Sequence, residues 1–144
     1  MNLAKALKRK NRLTQKISNL QVEIQCENST RADNEKKIDV EALMKELTQK
    51  TEDLIKLKLN IFVATTPVRE HILKLGELKA KIAFLRGITT AEGKHIDRFG
   101  DQEVEYVATY DKAYIKTEVE SCENKIDELQ EELDKFNYTT EIEI

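Results

Sequence analysis

Apolar residues recur three and four positions apart along most of this chain, which is the spacing that gathers them on one face of a helix. Leu3, Ala6, Leu13, Ile17, Leu20 and Ile24 follow it and predict a helix over residues 2–28. Val40, Leu43, Leu47, Leu54, Leu57 and Ile61 repeat it and predict a second helix over 39–60, after a polar run at 28–37. Lys10 and Lys50 each interrupt one of these seams; a lysine at an inward position either snorkels its ammonium to water or disfavours a wrong register.

A third helix is expected over 67–86 from Val68, Ile72, Leu75, Leu78, Ile82 and Leu85. Thr66 is placed to cap it and Pro67 suits a first turn, where no amide hydrogen is required, while Gly87 suits the left-handed residue that ends a helix. The last seam, Ile115, Val119, Cys122, Ile126, Leu129, Leu133 and Phe136, predicts a fourth helix over 111–136, capped by Asp111 or Thr109. Its acidic residues fall mostly on the outer, solvated face.

Between the third and fourth helices the period changes from helical to alternating. Val104, Tyr106 and Ala108 share one side and Glu103, Glu105, Val107 and Thr109 the other, so a β-ribbon is expected over 94–109, with Gly100 and Asp101 at its turn. Alternation returns at the end, where Tyr138, Thr140, Ile142 and Ile144 predict a terminal strand over 138–144. The fold class read from this pattern is mainly α: one domain of long antiparallel helices, bundle-like or coiled-coil-like, with a small β-ribbon and a C-terminal strand.

The pattern also carries an expectation of oligomerisation. A helix over 111–136 is about 39 Å long, while each flanking strand reaches only about 23 Å. The two strands would therefore overlap only at their tips within one chain, and the terminal strand is expected to pair with the ribbon of a second copy in a homo-oligomer; the alternative is a self-contained hairpin over 94–109 with the tail packed on the chain's own helices.

Composition supports a folded helical protein and narrows its partners. Of 144 residues, 35% are charged and 40% hydrophobic, with one proline and four glycines, a balance suited to solvated helices. The net charge of -3 supplies no overall attraction for nucleic acid or an anionic membrane, and residues 1–12 mix Lys5, Lys8, Arg9, Lys10 and Arg12 with apolar residues rather than forming a signal or a span. That amino-terminal basic stripe has no interleaved aromatics, which argues against nucleic-acid binding. A cytoplasmic protein without membrane contact is expected. Cys26 and Cys122 are too few for a disulfide scaffold and are expected as buried or half-buried thiols in helices.

Chemical motifs are sparse. His71 and His95 have neither each other nor a cysteine at metal-ligand spacing, and no nucleophile elbow, phosphate-binding glycine loop or sheltered carboxylate pair is legible, so neither enzyme activity nor a metal or cofactor is expected. The candidate ligand-binding set is Arg86, Lys94, His95 and Arg98 with Phe99, Tyr106 and Tyr110, because cationic and aromatic side chains on one segment can grip phosphate and stack on a base. Thr66 and Arg69, with Thr65, form a second candidate, in which a helix amino terminus would hold an anion.

Three segments, Met1-Asn-Leu-Ala-Lys-Ala-Leu7, Tyr106-Val-Ala-Thr-Tyr-Asp111 and Phe136-Asn-Tyr-Thr-Thr-Glu-Ile142, occur in an order that resembles the septicolysin-like family of small bacterial proteins. The resemblance implies a helical, oligomeric fold and no catalytic motif. It departs over residues 60–66, where Asn-Ile-Phe-Val-Ala-Thr-Thr replaces a more polar segment. The expected function is a non-enzymatic structural or interaction protein that binds at subunit interfaces. The alternative is a phage-type sponge that sequesters a cyclic nucleotide or another phosphate-bearing small ligand of an immune response.

Overall fold

The computed structural model describes residues 1–35, 38–96, 99–100 and 102–143. The chain divides into two compact units, Met1–Val68 with Asp134–Ile144, and Arg69–Leu133.

The first unit is built on α1 (Leu3–Glu27) and α2 (Val40–Ala64), both on the faces the spacing predicts. Each start is capped: the Lys5 amide donates to Asn2 Oδ1 at 2.9 Å, and the Ala42 amide to Asp39 Oδ1 at 3.1 Å. Leu3 and Ala6 from the start of α1 pack on Leu57 and Ile61 from the end of α2, so the two helices run antiparallel. α2 continues four residues past the predicted 60, because Ile61 and Ala64 belong to this core. A 3-10 turn, Thr66–Val68, follows.

Sequence alternation misplaces the tail. α4 (Lys112–Thr139) extends beyond 136, so Tyr138 is helical and 64% exposed. Only then does the chain become extended, and its partner is the start of its own α1. The Leu3 amide donates to the Thr140 carbonyl at 2.8 Å and the Ile142 amide to the Met1 carbonyl at 2.9 Å, forming an antiparallel bridge between Asn2 and Glu141. Asn60 Nδ2 donates to the Glu143 carbonyl at 3.1 Å. Ile142, 8% exposed, closes the core of Leu3, Ala6, Leu57 and Ile61. Ile144 lies outside the described residues.

In place of a terminal strand over 138–144, α4 continues to Thr139 and a short bridge follows, so the tail packs on the chain's own helices, the alternative to pairing with another copy. The two extended segments have separate partners, the ribbon strands each other and the tail the start of α1.

The second unit contains α3 (Arg69–Arg86), β1 (Gly93–Ile96), β2 (Glu103–Tyr106) and the first part of α4. Its core joins Ile82 and Leu85 of α3 to Ile115, Val119 and Cys122 of α4. Asp111 is the α4 cap, accepting from the Tyr114 amide at 2.8 Å. β1 and β2 close on themselves as an antiparallel hairpin with Lys94 opposite Glu105 and His95 opposite Val104, narrower than the predicted 94–109 and exposed along both strands.

The positive φ falls at Gly93 (82°), not at Gly87, whose amide instead donates to the Phe84 carbonyl at 3.0 Å. Cys122 is buried as expected, whereas Cys26 is exposed.

The tail core makes a direct prediction. Ile142→Ala should cost about 2–5 kcal/mol in urea unfolding, whereas Tyr138→Ala should change stability by no more than about 0.5 kcal/mol. Equal effects would contradict the packing described.

Candidate functional site

The two predicted ligand sets are dispersed by the fold rather than gathered. In the ribbon, His95 and Tyr106 meet edge to face at 5.5 Å, but His95 Nε2 is also 2.8 Å from the Glu92 carbonyl, which fixes the imidazole locally. Lys94 projects from the opposite ribbon face to His95, because neighbouring strand residues alternate. Phe99 is 97% exposed, and Arg98 lies outside the described residues.

Tyr110 does not join the ribbon cluster. It stacks on Tyr114 with ring centroids 4.5 Å apart, beside α4, and the Glu118 carboxylate raises the Tyr114 phenol above its ordinary range. Arg86 sits at the end of α3 and pairs with Glu123 at 3.2 Å. It lines an open hollow of about 440 Å³ with Thr90, Lys112 and Lys116, while His95 lines a neighbouring one of about 390 Å³ that shares Thr90 and Lys112.

The second expected set falls at the boundary of the two units. Thr66 forms part of the 3-10 turn, and its hydroxyl is directed at the Phe62 carbonyl at 3.5 Å rather than capping α3. Thr65 likewise donates its hydroxyl to the Ile61 carbonyl at 2.9 Å. Both hydroxyls donate to carbonyls in the last turn of α2, that of Ile61 also accepting the Thr65 amide at 2.9 Å. Arg69 begins the other unit.

A contact that the sequence did not suggest joins His71 to Glu132, with Nε2 2.6 Å from Oε2. Nδ1 of this imidazole is buried and, among the described residues, has no hydrogen-bond partner. Among the described residues no group of three or more histidine, cysteine, aspartate or glutamate side chains is arranged to hold a metal.

The most extended chemical feature of the first unit is the outer face of α2. Met44, Thr48, Thr51, Ile55, Leu59 and Phe62 are spaced four, three, four, four and three apart and form one uncharged row, about 27 Å long. All six are exposed, with Ile55 at 61% and Leu59 and Phe62 at 59%. The two threonine hydroxyls are turned back into the helix, donating to the Met44 carbonyl at 3.0 Å and the Leu47 carbonyl at 2.8 Å. Their methyl groups are what the row presents, so it is apolar along its length. The periodicity of α2 contains this second row beside the inward seam; following only the seam that pairs with α1 leaves it unread.

Among the described residues no helix is long and apolar enough to cross a membrane. No curated protein matches this chain. A crystal structure of a functionally unknown conserved protein from Corynebacterium diphtheriae is similar to it, with a TM-score of 0.71 and 18% identity over 99% of each chain, a likeness of fold alone. Residues 9–142 match the family of unknown function DUF6847, and the chain belongs to that family.

Proposed function

We propose that this protein is a non-enzymatic helical interaction protein that associates with a second copy of itself through the outer face of α2. The observation that carries this reading is the exposed row from Met44 to Phe62. Three large side chains occupy its second half, and small threonines with one methionine occupy the first. About a two-fold axis, two such rows laid antiparallel bring Ile55 opposite Thr51, Leu59 opposite Thr48 and Phe62 opposite Met44. Large against small is the combination that lets helix surfaces interdigitate, and a self-complementary patch is what an isologous dimer requires.

Burying this row favours association through the hydrophobic effect, at roughly 25 cal/mol for each Å² of apolar surface removed from water. The helix that bears it is held on its other side by α1, so the row is presented on a fixed scaffold.

A second reading, sequestration of a cyclic nucleotide, draws support from the hollow in the other unit. Arg86, Lys112 and Lys116 bring three cations to its wall, against the carboxylates of Glu120 and Glu123, the second of which pairs with Arg86.

Two measurements test these readings. The double variant Ile55→Glu/Leu59→Glu should reduce the mass found by light scattering to that of one chain while preserving the helical circular dichroism. A wild-type mass of one chain at every concentration, or a variant mass equal to the wild type, would refute self-association through α2. For the second reading, a cyclic mononucleotide or dinucleotide should raise the melting temperature, since a ligand bound only by the folded state stabilises it, and Lys112→Ala should abolish the increase. No increase with either nucleotide class would remove that reading.

A further inference from the structure

We infer that the first unit carries a binding groove for a short ligand bearing several phosphates, formed by the amino-terminal half of α1 against α2. The inference is independent of self-association.

The charge distribution is the starting point. The first 22 residues contain six basic residues and no acidic one, in a chain with 24 basic and 27 acidic residues. The remaining 122 therefore carry 18 basic against 27 acidic residues. Elsewhere the helices pair their charges one turn apart, as in Glu46 with Lys50 at 3.5 Å and Glu70 with Lys74 at 2.7 Å. α1 does the opposite. Lys5 and Arg9, Lys8 and Arg12, and Arg12 and Lys16 are like-charge neighbours one turn apart, and Lys5, in the first turn, also lies at the positive end of the helix dipole. All of them are exposed, and among the described residues none makes an ion pair. A bound anion would relieve both repulsions together.

Geometry turns this charge into a site. Lys5, Lys8, Arg9, Arg12 and Lys16 line one groove of about 650 Å³, joined from α2 by Lys50. The carboxylate in its wall is Asp53, which accepts a hydrogen bond from Gln49 Nε2 at 3.1 Å. Lys10, on the other side of α1, is outside the groove.

Two features define the ligand class. No aromatic side chain lines the groove, so it offers phosphates charge and hydrogen-bond donors but gives a base nothing to stack on. From Lys5 to Lys16 the cationic row is only about 16 Å long. The rest of the chain is net acidic and would repel a long polyanion that continued past the groove. A compact ligand with three or more phosphates satisfies both conditions; a single strand lacks a surface to stack on, and a duplex runs past the short cationic row.

Isothermal titration with inorganic tripolyphosphate tests the inference, with inorganic phosphate and a DNA duplex as comparisons. Tripolyphosphate should bind, more weakly as salt screens the charges, and more tightly than inorganic phosphate or the duplex. Arg9→Gln/Arg12→Gln should weaken it by at least about tenfold, the scale of one lost charge-assisted hydrogen bond. Lys10→Gln, which removes the same kind of charge from the same helix, should leave affinity unchanged. Circular dichroism verifies that each variant is folded. Absence of tripolyphosphate binding, equal weakening by Lys10→Gln, or tighter binding of the duplex would each overturn the assignment.

Discussion

The first unit depends on the burial of Ile142 between the start of α1 and the end of α2. Two long helices packed side by side enclose little volume, and their apolar seams remain open along the edges. Ile142 and the partly buried Phe136 close one such edge over Leu3, Ala6, Leu57 and Ile61. The backbone bridge at Asn2 and Glu141 fixes the register of that closure, because each of its two hydrogen bonds satisfies an amide that would otherwise lose its partner on leaving water.

Once that end is fixed, α2 has two different surfaces. Leu57 and Ile61 face the core, while Ile55, Leu59 and Phe62 face outward. A solvated helix surface ordinarily carries charge, and this protein supplies charge abundantly elsewhere. The uncharged outer row of α2 departs from that pattern, and so do the α1 cations, which make no ion pair among the described residues; these two departures are what the proposed self-association and the proposed phosphate groove rest on.

The dispersal of the predicted ligand residues has a simple cause. Arg86, His95 and Tyr110 are close in sequence, but a helix end, a hairpin and the approach to α4 direct them differently. His95 meets Tyr106 across the ribbon, Arg86 meets Glu123 across the helices, and Tyr110 meets Tyr114 one turn along. Residue type identified plausible binders; the direction of each side chain determined which of them share a space.

The sequence by itself determined the four helices, most of their inward faces, a cap at Asp111 or Thr109 for the last of them and the presence of a ribbon, although Ile72, read as inward, is exposed. These features follow from local spacing and from hydrogen bonds between residues three or four apart. It also displayed the basic stripe of α1, although composition alone made that stripe resemble an ordinary solvated face. Tertiary structure alone decided the partner of the tail, since alternation over 138–144 specifies an extended segment but not which distant backbone will accept it. It likewise decided that Tyr138 remains helical, that Lys50 joins the α1 cations in one groove, and that Ile55 and Leu59 stay outside the core. Each of these depends on contacts between residues far apart in the chain, and burial, unlike periodicity, is a property of the whole packed unit.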